Sequence, residues 1–213
     1  MKRIATTLMP ALALTCAVST AQAAFVFDDS ASTALPGNNY FATDLQALGY
    51  DSLVIGEQLS VNQTGTITFH FIGSESGYDN SFNLSGTAFF TEQVTNYIPL
   101  NMSGYDTGNG VVASINVTAG DVVDFSFSSS SAAALSPVDN LSGLNLQGLG
   151  IIFDSSAGSA TQLILAYDDQ TFWGDDDNHD DMLILAEFSP VPVPGAAWLF
   201  GSALLAVAGM KRK

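Results

Sequence analysis

The stretch "TITFHFI", residues 66–72, alternates polar and apolar side chains along its length. A period of two puts Ile67, Phe69 and Phe71 on one face of a strand and Thr66, Thr68 and His70 on the other. Similar patterns recur at 111–117, 122–127, 163–167 and 182–188, and residues 53–61, 82–90 and 149–153 are further strand candidates. Residues 117–122, VTAGDV, read as a hairpin turn in which Gly120 supplies a positive φ. Residues 126–136, SFSSSSAAALS, are of low complexity and read as a loop. One short helix is expected, over 43–48. Many short strands punctuated by Gly, Asn, Ser and Asp predict an all-β chain folded as a single antiparallel β-sandwich over residues 24–190. No internal repeat is visible.

The charges are partitioned along the chain. Of 213 residues, 21 are Asp or Glu and 5 are Lys or Arg, a formal net charge of -16. The basic residues are Lys2, Arg3, Lys211, Arg212 and Lys213, whereas every acid lies between Asp28 and Glu187. The body therefore holds no Lys or Arg, and His70 and His179 are its only titratable cations. Nucleic acid is excluded as an expected partner, because phosphate binding draws on Lys and Arg. Carboxylates that crowd together must find water, backbone N–H groups or metal ions. Five Asn-x-Ser/Thr sequons, at Asn62, Asn83, Asn101, Asn116 and Asn140, are read as chance in an Asn- and Ser-rich sequence.

Both ends read as export signals. Lys2 and Arg3 precede a mostly apolar run over 4–18, and Ala21-Gln22-Ala23 is an A-x-A site. Residues 1–23 are expected to be a signal peptide cut between Ala23 and Ala24, with signal peptidase as the processing partner. Cys16 is the single cysteine and lies in that segment, so the processed chain would enter an oxidising compartment without disulfides. At the other end, "VPVPGAAWLFGSALLAVAGMKRK" fills residues 191–213. Pro192 and Pro194 keep the chain extended. The apolar run over 195–210 is at the short limit for a transmembrane helix, and the basic tail would hold its end on the cytoplasmic side.

This closing stretch resembles the PEP-CTERM sorting signal in its VPxP variant, found in Gram-negative bacteria that make exopolysaccharide. Val191, Pro192, Val193 and Pro194 match the signature, with Val193 where the eponymous motif has Glu. The resemblance implies recognition by an exosortase, transient anchoring in the inner membrane through the C-terminal helix, and release or attachment at the cell surface or outside it. It covers only the last 23 residues.

The stretch expected to carry chemistry is "YDDQTFWGDDDNHDDMLIL", residues 167–185. Asp168, Asp169, Asp175, Asp176, Asp177, Asp180 and Asp181 fall within fourteen positions. Two carboxylates 4 Å apart repel by about 4 kcal/mol at an effective dielectric of about 20. Hard oxygen ligands at short spacing suit Ca²⁺, with Asp168, Asp169, Asp175, Asp177, Asp180 and Asp181 as the ligand set, the alternative being a solvated loop that closes a hairpin. Asp175, Asp177 and His179 alternate as the first EF-hand ligands do, but Asp180 stands where that loop needs Gly and Ala186 where it needs Glu. His179 suits Ca²⁺ poorly and is expected to pack or face solvent. Zn²⁺ has a thin ligand set here, with one His and no Cys.

"GDDDNHDDM", residues 174–182, also resembles the acidic G-D-x-D-x-x-D segment of a β-rich bacterial surface domain. That domain often carries an earlier E-x-G-Y-x-N-S loop, and "GSESGYDNSF", residues 73–82, supplies Glu75, Gly77, Tyr78, Asn80 and Ser81 in that pattern. The resemblance implies an extracellular β-sandwich.

Three classes of function follow. The expected one is a structural or interaction protein of the surface or matrix, linked to exopolysaccharide or biofilm. The second is a carbohydrate-binding module, with Tyr78, Tyr97, Tyr105 and Trp173 near predicted loops. The third, an enzyme, is not expected. No G-x-S-x-G elbow is evident, His70 lies within a strand, and a carboxylate pair for glycoside hydrolysis is unremarkable among so many acids.

Overall fold

The computed structural model describes residues 24–92, 97–105, 113–131, 136–157, 161–169 and 178–191. Among these, the strands are β1 Phe25–Val26, β2 Thr33–Ala34, β3 Ser52–Ile55, β4 Ser60–Val61, β5 Gly65–Gly73, β6 Asn80–Leu84, β7 Thr87–Thr91, β8 Ala113–Val117, β9 Phe125–Ser129, β10 Val138–Asp139, β11 Leu149–Phe153, β12 Gln162–Tyr167 and β13 Met182–Pro190. A helix α1, Ala42–Ala47, precedes β3, and a 3-10 turn, Leu146–Gly148, leads into β11. The chain is mostly β, and every strand pair is antiparallel.

A seven-stranded sheet runs β2-β3-β11-β12-β13-β5-β8, a four-stranded sheet runs β10-β9-β6-β7, and β1 pairs with β4. The alternation in β5 decides the layering. Ile67, Phe69 and Phe71 join Leu163, Leu165 and Tyr167 of β12 and Ile184, Ala186 and Phe188 of β13 in one cluster. Phe82 of β6 and Phe125 and Phe127 of β9 complete it from the smaller sheet. Phe69 and Phe82 lie 5.3 Å apart, and Phe127 stacks on Tyr167 at 5.0 Å. On the opposite face, α1 buries Ala42 and Leu45 against Leu53, Ile152, Ile164, Leu183 and Leu185. That second layer explains why β11, β12 and β13 read as near-continuous apolar runs.

Beyond α1 the outer face is polar. Thr66 bonds Asn116, Thr68 bonds Ser114, and His70 Nε2 lies 3.1 Å from Glu187. Gly65 is required where β5 meets β13, because a Cβ there would sit 2.4 Å from Phe188 Cζ and from the Ser189 carbonyl.

Several sequence expectations are corrected. The run 82–90 is two strands, broken at Ser85 and Gly86, both at positive φ as a tight hairpin requires. The run 53–61 breaks at Gly56, at φ 83. The turn at 117–122 does place Gly120 at positive φ, but it joins no hairpin: β8 pairs with β5 while β9 pairs with β6 and β10. Val122 makes only an isolated bridge to Ser60, and the strand begins at Phe125. Residues 126–129, read as loop, belong to β9, whose serines face away from the core that Phe125 and Phe127 enter. Asn140, one of the sequons, is fully buried. Its side chain accepts from Leu59 N–H and donates to the Leu59 and Val123 carbonyls, tying three segments together.

The signal segment with Ala23, the residues Pro192, Val193 and Pro194, and the C-terminal apolar run lie outside the described residues, while Ala24 is buried and Val191 exposed. No helix among the described residues is long and apolar enough to cross a membrane.

The aromatic layer carries a stability prediction. Phe82→Ala empties a site bounded by three phenylalanine rings. Urea unfolding should show a loss of about 3–5 kcal/mol. A loss below about 1 kcal/mol would mean that the two sheets do not depend on this contact.

Candidate metal centre

The acids gather at one end of the two sheets. There β5 ends at Gly73 and the chain crosses through residues 74–79 to β6, in the other sheet. β12 ends at the same place with Tyr167, and β13 starts there with Met182. One extra residue in β5 shifts its register between Leu183 and Ile184, bending the strand end beside the acids.

Backbone bonds fix the crossing loop to the acidic segment. Glu75 N–H donates to the Asp180 carbonyl at 3.0 Å, and Asp181 N–H to the Tyr167 carbonyl at 3.1 Å. Ser74 Oγ donates to the Asp181 carbonyl at 2.6 Å. From the outer layer, Asn39 Nδ2 donates to the Asn178 and His179 carbonyls, and Tyr40 N–H donates to Asp180 Oδ2.

These contacts bring Glu75, Asp180 and Asp181 together, with one carboxylate oxygen of each within 4.8 Å of the others. Calcium binds oxygens at about 2.4 Å, so oxygens on opposite sides of one ion are about 4.8 Å apart. The spacing is that of ligands sharing an ion. At an effective dielectric of about 20, two ionised carboxylates at that distance repel by about 3–4 kcal/mol.

Asp168 and Asp169, which follow the end of β12, are both buried. Asp169 Oδ2 accepts from Ser76 Oγ at 2.5 Å and from Asn80 Nδ2 at 2.9 Å. Asp169 N–H donates to Asp181 Oδ2 at 2.7 Å. Asp169 Oδ1 is buried and has no hydrogen-bond partner among the described residues. Asp168 faces His179, whose Nδ1 is 3.9 Å from Asp168 Oδ2. The other ring nitrogen, Nε2, is 3.1 Å from the Gln147 carbonyl. His179 is fully buried, at a positive φ of 53, so of the two expected places, packed or facing solvent, it takes the first. Gly150 makes room for it, since a Cβ there would come within 3.0 Å of the imidazole Cδ2.

Of the expected ligands, then, Asp180 and Asp181 come together beside Glu75, and Asp169 is bonded to Asp181 through its N–H with Asp168 next to it in sequence. Asp175 and Asp177 lie outside the described residues, as does Asp176. Glu75 joins them, and Glu92 lies near enough to Asp169 to feel its charge. Glu75 was visible only as part of the E-x-G-Y-x-N-S resemblance. Glu92 had no signal: it arrives because its N–H donates to the Asn80 carbonyl at the end of the β6–β7 hairpin. Compared with known proteins, the chain matches no family model, no curated protein and no solved structure.

Two carboxyl groups show how poorly this end solvates charge. Burial, reinforced by Asp169, pushes Asp181 up to about 9. Burial also pushes Glu92 up to about 8, although Ser74 and Asn80 beside it pull the other way. Tyr167 is raised well above the usual phenol range, by burial first and by Asp169 next.

Without a metal ion, the folded chain keeps protons on these acids that the unfolded chain releases. Their contribution to stability is full below roughly pH 4, the unfolded carboxyl range, and is lost as pH rises through the folded values. Chelator-treated protein should therefore show a falling urea midpoint between roughly pH 5 and pH 9. A midpoint that rises across that window contradicts the buried, proton-holding acids.

Proposed function

We propose that this chain is an exported surface or matrix protein whose body is a β-sandwich closed at one end by a divalent cation, Ca²⁺ being the best fit. The observation that carries the cation site is the convergence of Glu75, Asp180 and Asp181 within 4.8 Å, in a body without Lys or Arg. The buried, unpartnered oxygen of Asp169 adds independent support. An oxygen-only ligand set at an exported location fits a cation abundant outside cells. Binding only to the folded chain, the ion would stabilise the fold rather than take part in a reaction.

Export and sorting rest on the sequence: the signal segment, the cut between Ala23 and Ala24, and the tail that begins at Val191. Signal peptidase and an exosortase are the processing partners, with transient attachment to the inner membrane. A structural or interaction role, with exopolysaccharide as a partner, needs no catalytic group.

A specific observation also favours a carbohydrate-binding surface. Tyr40 and Tyr97 are 64% and 43% exposed, their rings 4.9 Å apart. Tyr40 is anchored to Asp180 through its N–H, so the pair sits beside the cation site. Tyr105 suits this role less well, because its hydroxyl donates to the Pro99 carbonyl and its ring packs on Phe71. Trp173 lies outside the described residues. A Tyr40 and Tyr97 platform predicts retention on a polysaccharide resin that is lost in the double Tyr→Ala variant. Elution at the void volume by the wild-type chain contradicts it.

The cation is tested by following thermal unfolding of the chelator-stripped full chain as Ca²⁺ is added, with Mg²⁺ as control. At 100 times its Kd, Ca²⁺ should add about 2.7 kcal/mol and raise the midpoint by several degrees. Asp180→Asn combined with Asp181→Asn should abolish the rise. Equal behaviour in Ca²⁺, Mg²⁺ and chelator rejects the site.

A further inference from the structure

The outer group of Glu75, Asp180 and Asp181 leaves part of the acidic end unexplained. Beside that group, Glu92, Asp169 and Asn80 are each at least nine-tenths buried. In the ionised form that a metal ion selects, the remaining polar atoms of Glu92 and Asp169 only accept, as does the Asn80 carbonyl oxygen. Asp169 Oδ2 has its two donors, Ser76 Oγ–H and Asn80 Nδ2–H. A carboxylate only accepts, so the Asn80 amide must turn its nitrogen to Asp169 and its carbonyl oxygen away. That oxygen and Asp169 Oδ1 are buried without a hydrogen-bond partner among the described residues, and the Glu92 carboxyl, although Ser74 and Asn80 stand close enough to favour its ionised form, makes no well-formed hydrogen bond to either. The donors closest at hand are committed elsewhere: Ser74 Oγ–H to the Asp181 carbonyl, Glu92 N–H to the Asn80 carbonyl.

Charge leads to the same place. One divalent ion among Glu75, Asp180 and Asp181 cannot neutralise Asp169 and Glu92 as well. His179, the nearest titratable cation, faces Asp168. No Lys or Arg exists in the body to do it. Three carboxylate oxygens on two side chains and one amide oxygen match the ligand chemistry of a hard divalent cation.

We propose that the acidic end holds a second, inner divalent cation of the calcium type, ligated by Glu92, Asp169 and the Asn80 side-chain carbonyl. It rests on the reading that the outer group takes such an ion, and the two positions are coupled through Asp169, whose N–H bonds Asp181 Oδ2. The E-x-G-Y-x-N-S loop then serves both ions: Glu75 goes to the outer one and Asn80 to the inner one. Ser76 orients Asp169 between them.

Equilibrium dialysis of the chelator-stripped full chain against radioactive Ca²⁺ counts the ions. The wild-type chain should bind two tight equivalents, and Glu92→Gln, which keeps shape and removes charge, should lose one. Glu75→Gln with Asp181→Asn should lose the other. Circular dichroism checks each variant for folding, and Asn80→Ala carries the test if Glu92→Gln does not fold. Wild-type stoichiometry retained in Glu92→Gln and in Asn80→Ala overturns the inner position. A single equivalent, lost in Glu75→Gln with Asp181→Asn but kept in Glu92→Gln, overturns the inner ion and leaves the outer one standing. No tight binding at all removes both.

Discussion

Glu75, Asp180 and Asp181 converge, with Asp168, Asp169 and Glu92 near enough for their charges to be felt, in a body whose residues 24–190 contain no lysine or arginine. Burying an ionised carboxylate costs several kcal/mol unless hydrogen bonds or an opposite charge compensate. Backbone N–H groups and serine hydroxyls supply part of that compensation here, through Tyr40, Ser76, Asn80 and the Asp169 N–H. They leave Asp169 Oδ1 without a donor among the described residues. Protons or cations must do the rest, and each choice makes the stability of the fold depend on the surrounding medium.

The two sheets hold the acids in place. Phe69, Phe82, Phe127 and Tyr167 lock the sheets face to face close to the acidic end, so the strand termini cannot drift apart to relieve repulsion. Asn39 and Tyr40 clamp the 178–180 segment from the outer layer. Side chains of both sheets and of the outer loop thus meet at one place. A cation there would join elements distant in sequence, much as a disulfide would, in a chain whose single cysteine is Cys16.

Much of this was legible in the sequence where one physical pattern acted alone. β5, β12 and β13 follow from alternation and apolar runs, and α1 was found within a residue or so at each end. The pattern failed where two strands abut across a short turn, as at Ser85 and Gly86, because alternation continues through the hairpin. It failed in β9, where serines on the solvent side resemble a flexible tract while Phe125 and Phe127 carry the core. Asp180 and Asp181 were evident from local density. Glu75 was reachable only by setting two distant motifs side by side. Glu92 was not legible, since its place in the site comes from strand pairing between Asn80 and the end of β7.

The central claim is that a metal ion, rather than protons alone, compensates the acids at the sheet ends. The most direct measurement is anomalous diffraction from crystals grown in Ca²⁺, collected at a long wavelength where calcium scatters anomalously. A peak bounded by the side chains of Glu75, Asp180 and Asp181 is the predicted result. A well-ordered acidic end with no peak, the carboxyl groups bonded only to one another and to water, would contradict it.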